Sequence, residues 1–124
     1  MIEKLRELYN EFSDAVIRDV LFIYPTDTVE NSRKSNIRID CRNITKDYRW
    51  ETLVLHFSSI TKFSLVEDNS TNQIIGELKY EELNGEFIFD FSYNYWTNVE
   101  EVSKSSFYLI SKNFSYTVEK VHQQ

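Results

Sequence analysis

The sequence predicts an α+β domain in which one N-terminal amphipathic helix precedes seven or eight short strands of a curved or two-layered antiparallel sheet. Three observations predict it. The first twelve residues carry apolar side chains at helical spacing, and the period then changes to two. Clusters of Asn, Asp, Ser, Thr and Gly interrupt that alternation every eight to twelve residues. The 124 residues make one domain, 1–124. A chain of this size buries roughly two-thirds of its unfolded surface without needing staples.

In "MIEKLRELYNEF", Ile2, Leu5, Tyr9 and Phe12 share one face with charged residues between them, giving a helix of about three turns that ends before Ser13-Asp14. "AVIRDVLFIY" is rich in β-branched and aromatic residues and stops at Pro25, which has no N–H for a ladder. "TDTVENSRKS" is a polar loop. "NIRIDCR" then sets Ile37, Ile39 and Cys41 against Arg38, Asp40 and Arg42. "RWETLVLHF" sets Leu53, Leu55 and Phe57 against Trp50, Val54 and His56, and "SITKFSLVE" follows as a further strand. "QIIGELKYEEL" alternates Leu78 and Tyr80 with Glu77, Lys79 and Glu81. Asn84-Gly85 is the strongest hairpin signal in the chain. It leads into "EFIFDFSYNYW", where Phe87, Phe89, Phe91, Tyr93 and Tyr95 occupy alternate positions. "TNVEEVSK" fits a helical turn capped by Asn98, and "SFYLISK" and "FSYTVEKV" read as a last hairpin around Asn113.

Charge is unevenly spread. Residues 1–62 hold ten basic and ten acidic residues, which cancel, whereas residues 63–124 hold four basic and ten acidic ones, which leaves the whole net charge of −6 there. Twelve of the nineteen aromatics lie in that second half. Such a surface repels phosphate backbones and attracts basic proteins, so no nucleic-acid partner is expected. No leader or membrane-spanning stretch is legible, and the expectation is a cytoplasmic protein without a membrane partner. Abundant Ile, Asn, Lys, Tyr and Phe with little Gly and Pro suit a bacterial source. The three Asn-x-Ser/Thr triplets at Asn43, Asn69 and Asn113 are expected by chance in a chain this rich in Asn and Ser.

Chemical motifs are missing. One cysteine excludes an internal disulfide, and one Cys with two His cannot complete a structural zinc site. The "EDNSTNQ" loop fails as a calcium loop: counting from Asp68, position six is Gln73 and position twelve is Lys79. The isolated Gly76 and Gly85 cannot build a phosphate loop, so no cofactor is expected. Cys41 has core parity, and His56 shares a face with Trp50 and Val54, where it is a lone histidine without a catalytic signature. The carboxylates Glu77, Glu81, Glu82, Glu86 and Asp90 flank the Asn84-Gly85 turn. They fit a solvated hairpin or an acidic docking surface better than paired-carboxylate hydrolysis, which needs a cleft. Phe87, Phe89 and Phe91 fit a core face, while Tyr95 and Trp96 at the strand's end are the anchor candidates for a protein partner.

"EFSDAVIRDVLF" followed by "TLVLHFSSITKFSL" resembles a pattern of small bacterial proteins: Phe-His-Asp-Ala-x-Ile, an alternating strand, then a Leu-x-Leu-x-Phe strand followed by a valine or isoleucine and a phenylalanine. Several of these are regarded as immunity proteins of polymorphic toxin systems or as uncharacterised neighbours of them. The likeness spans Phe12 to Phe63, about half the chain, and Ser13 stands where the pattern has His, so no role of that His carries over. The resemblance implies a cytosolic partner that binds and blocks a toxin. The expectation is therefore a non-enzymatic module that occludes a basic toxin domain through Glu77, Glu81, Glu82, Glu86, Asp90, Tyr95 and Trp96. A small-ligand binder with an aromatic-lined cavity is the second reading, an enzyme centred on His56 the third. A homodimer through Trp50, Val54 and His56 is also open.

Overall fold

A computed structural model describes residues 1–25, 33–67, 73–92 and 105–122. Helix α1 (Ile2–Tyr9) is followed by β1 (Ala15–Ile23), β2 (Lys34–Asn43), β3 (Arg49–Leu65), β4 (Ile74–Ile75), β5 (Lys79–Leu83), β6 (Glu86–Asp90) and β7 (Phe107–Val121). The seven strands form one sheet in the order β4-β1-β2-β3-β7-β6-β5, and every pairing is antiparallel.

The helix is shorter than its spacing predicts. Asn10 takes φ 52 and closes the last turn by donating its N–H to the Arg6 carbonyl. Phe12 and Asp14 also have positive φ, so residues 10–14 form a tight irregular passage into β1. Phe12 nevertheless remains in the core, stacked on Tyr9 at 5.4 Å, and Ile2, Leu5 and Tyr9 are buried beside it.

Two pairs of segments that read as separate strands are continuous. The stretches 49–57 and 58–65 are one strand, β3, and 107–113 and 114–121 are one strand, β7. Asn113 is therefore not a hairpin turn; it sits opposite Ser58 in the ladder. The register shifts between Ile60 and Lys62, and Ser59 has φ 52, which gives the paired strands a shared bend. The bend is large. Phe22 in β1 is level with Phe57 through Ser35, yet its ring lies 4.6 Å from that of Phe63. A straight strand would carry Phe63 about 20 Å past Phe57. The far half of β3, with the first part of β7 and with β6 and β5, thus folds back over the near half, and the core lies between.

The segment read as one strand over "QIIGELKYEEL" is broken at Gly76 into β4 and β5, which occupy opposite edges of the sheet. Edges of a flat seven-stranded sheet stand about 29 Å apart, whereas the four-residue step from Ile75 to Lys79 spans at most about 15 Å. The sheet must curl to satisfy that connection. It does not close: the passage 10–14 fills the seam, with the Leu78 N–H donating to the Glu11 carbonyl (2.7 Å) and the Asp14 N–H to that of Ile75 (2.8 Å). Tyr80 Oη also donates to the Asn10 carbonyl.

Asn84-Gly85 forms the tight β5–β6 turn its sequence predicts, with φ 54 and 78. Gly85→Ala is expected to cost about 1 kcal/mol in denaturant titration, because a Cβ there meets no neighbour but strains a left-handed backbone. Gly76, equally uncrowded and without positive φ, serves as the control and should tolerate Ala without loss.

Candidate functional site

The acidic residues around the hairpin fall into three environments. Glu81, Glu82 and Glu86 stay on the hairpin, Glu77 leaves it, and Asp90 is removed from the surface. In the β5–β6 ladder Glu81 lies opposite Ile88 and Leu83 opposite Glu86, which places Glu81 and Glu86 on the outer face. Glu82 lies opposite Phe87, on the face that runs inward to Tyr80 and Phe89. The hairpin tip therefore presents carboxylates on both sides, with an exposed Leu83 between them. Glu86 Oε2 accepts a hydrogen bond from Thr61 Oγ1 at 3.0 Å, while no ion pair involves Glu77, Glu81 or Glu82 among the described residues.

Asp90 is corrected as a surface candidate, since its exposure is 0%. Its Oδ1 accepts from the Ser92 N–H (3.0 Å) and from Ser105 Oγ (2.6 Å), so it closes the end of β6 and ties it to the start of β7. Tyr95 and Trp96, like the capped turn expected at Asn98, lie outside the described residues. Glu77 belongs to the crossing between β4 and β5 and lines a cleft of about 630 Å³ that none of the three hairpin glutamates reaches.

The basic residues are distributed differently. All six arginines are engaged. Arg6 donates to the Tyr80 carbonyl and stacks over the Tyr80 ring at 4.7 Å, and Arg33 donates to the Ile60 carbonyl. Arg18 pairs with Asp40, Arg42 with Asp14 and Arg49 with Glu51. Arg38 bridges Asp19 and Glu119 across the outer face, and the hydrogen bonds from it to those carboxylates, Glu119 foremost, push its pKa up further. Four of the six arginines thus meet carboxylates and two meet carbonyls, whereas Glu81 and Glu82 make no ion pair among the described residues.

Three groups with chemical potential are accounted for by packing. Cys41 is buried opposite Glu51, and burial followed by the Glu51 and Asp40 charges pushes its thiol up, so it is no thiolate at neutral pH. His56 Nδ1 is 2.9 Å from Asn36 Oδ1 and Nε2 is 3.0 Å from Thr117 Oγ1, so both ring nitrogens face neutral partners. Among the described residues no group of three His, Cys, Asp or Glu is placed to hold a metal ion, and no helix is long and apolar enough to cross a membrane.

A buried polar cluster went unread in the sequence. Glu51 has the parity of Leu53, Leu55 and Phe57, and it points into the core beneath α1. It accepts from Tyr9 Oη (2.7 Å), Asn43 Nδ2 (3.2 Å) and Arg49 Nη2 (2.6 Å). Burial pulls its pKa up, but the hydrogen bonds from Tyr9, Arg49 and Asn43 outweigh that and hold it below the ordinary glutamate value. Asp40 follows the same pattern: burial raises it, and Thr52, Arg18 and His122 more than reverse the rise.

The chain matches no protein-family model, no curated protein and no solved structure.

Proposed function

We propose that this chain is a non-enzymatic protein-binding module, an immunity-type inhibitor of the bacterial cytoplasm that occludes a basic toxin domain. The observation that carries the proposal is the contrast in charge pairing. Every arginine is tied to a carboxylate or a carbonyl within the fold, whereas Glu81 and Glu82 stand at the tip of an edge hairpin with no ion pair among the described residues. Unpaired carboxylates around an exposed leucine supply long-range steering and a desolvating contact for a cationic partner. Tyr95 and Trp96, which follow β6 in sequence, are the proposed aromatic anchors. The resemblance of Phe12–Phe63 to immunity-type proteins points to the same class.

The test is a pull-down with the tagged domain at low and high salt, alongside Glu81→Lys/Glu82→Lys/Glu86→Lys. The expected result is one stoichiometric basic protein, held at low salt and released at high salt. The triple variant should weaken its retention by about tenfold, since each rim charge contributes a fraction of a kcal/mol to about one. Undiminished binding by the variant would place the contact elsewhere.

The second reading, a small-ligand binder, draws on the cleft of about 630 Å³, a volume in the range of ligand sites. Its rings are Phe91 and Phe107 rather than tyrosine phenols.

A further inference from the structure

The cleft lies where β1 faces the folded-back half of the sheet. Ile17–Val20 form one wall, the chain at 65–67, 91–92 and 106–107 the other, and Ile74, Gly76 and Glu77 the end. Its floor is apolar, made by Leu65 with the largely buried rings of Phe91 and Phe107, which stack on each other at 4.6 Å. Four charged side chains line it: Arg18, Asp19, Glu67 and Glu77. Two are spent outside it, Arg18 on Asp40 and Asp19 on Arg38. Glu67 and Glu77 have no ion pair among the described residues. The uncompensated charge of the cleft is therefore two carboxylates, set beside a stack of aromatic rings.

That combination selects a ligand class. An apolar stem gains about 25 cal/mol for each Å² it removes from water on the ring floor. An ammonium or guanidinium head gains from the carboxylates. An anion is repelled, and a neutral apolar group leaves the charges unanswered. At about 630 Å³ the cleft exceeds one side chain and accommodates a cationic residue together with an apolar neighbour.

We propose that this cleft receives a lysine or arginine side chain, carried beside an apolar residue, from the basic partner, with Glu67 and Glu77 taking the charge and Leu65, Phe91 and Phe107 taking the stem. The assignment of the source rests on the basic-partner reading; the chemistry of the cleft does not. It also separates two roles within the acidic set, with Glu81, Glu82 and Glu86 guiding the approach and Glu77 contacting a seated side chain.

The experiment is an NMR titration of the ¹⁵N-labelled full chain with acetyl-Leu-Arg-amide, using acetyl-Leu-Glu-amide as the anionic control. The expected result is that amide shifts of Gly76, Ser92, Ser106 and Phe107 move with the arginine dipeptide and not with the glutamate one, while those of Glu81–Glu86 stay in place. Glu67→Gln/Glu77→Gln should weaken that binding roughly two- to tenfold, the scale of one or two partly exposed ion pairs. Absent cleft shifts, equal shifts with both dipeptides, or unchanged binding by the double variant would overturn the cleft assignment. Such a failure is distinct from failure of the basic-partner reading, which the hairpin variant tests separately. If the dipeptide binds the cleft and the captured basic protein is held equally by Glu67→Gln/Glu77→Gln, the protein source is wrong and the site serves a free organic cation.

Discussion

Replacing Phe89 with alanine is expected to cost about 3–5 kcal/mol of folding stability. Phe89 is fully buried and meets rings from three other strands: Tyr80 of β5 at 5.4 Å, Phe57 of β3 at 4.9 Å and Phe114 of β7 at 4.8 Å, besides Phe91 at 6.0 Å. It therefore stands where the folded-back half of the sheet closes on the near half, and little around it is free to collapse into the space an alanine would leave. A chain of this length has about 6–18 kcal/mol of total stability, so the loss is a substantial fraction. Phe87, two positions along the same face, is only half-buried and meets Phe114 at 5.7 Å. Truncating it should cost about 1–2 kcal/mol. Urea unfolding distinguishes the two, with a lower midpoint and an unchanged slope for Phe89→Ala. Equal costs at 87 and 89 would show that the ring cluster is not centred as described.

The local parts of this fold were legible and the long-range ones were not. The alternation of Ile37, Ile39 and Cys41, the core parity of Phe87, Phe89 and Phe91, and the Asn84-Gly85 turn all express contacts within a strand or between neighbours in sequence. The bends read as turns because a bend shared by two paired strands uses the residue types of a hairpin turn. Ser58-Ser59 and Asn113 are small and polar, and only their position opposite each other in the ladder distinguishes the cases. The break at Gly76 has the same origin, since it depends on which edges the connection must join.

The candidate site divided along similar lines. Proximity in sequence to one turn grouped Glu77 with Glu81, although the curl of the sheet sends Glu77 to the cleft. Parity puts Asp90 on the outer face with Glu86 and Ile88, yet there it is buried, with bonds from Ser92 and Ser105. The cleft itself exists only because β3 doubles back, so no window of sequence contains it. Glu51 is the opposite case: its inward parity beside Leu53 and Leu55 was visible, and an acid at a core position is itself a signal of a buried hydrogen-bond cluster.

That cluster governs the second large expected effect. Tyr9→Phe removes the donor that α1 offers to Glu51, and hydrogen bonds to a charged acceptor contribute about 1.5–3 kcal/mol, so a loss of that size is expected at pH 7. Burial and the Glu51 charge push the Tyr9 phenol up, so it remains a neutral donor across the accessible range. The folded-state pKa of Glu51 lies below its ordinary value of 4.5, and that of Asp40 below 3.8. The stability these carboxylates contribute is therefore complete above the ordinary values and is lost as pH falls through the folded ones. Denaturant titrations should show stability level from neutrality to about pH 5 and falling below it. The gap between the parent and Tyr9→Phe should be widest at neutral pH and should narrow along that fall, because a protonated carboxyl is the weaker acceptor. Glu51→Gln should be less stable at pH 7 and have a shallower acid limb, with Asp40 left to supply it. No gap at pH 7 would mean that Tyr9 stabilises the fold through its ring, which phenylalanine keeps stacked on Phe12, and not through Glu51. The anchoring of α1 would then be apolar, and the buried carboxylate would belong to the β2–β3 turn, where Asn43 and Arg49 hold it from either side.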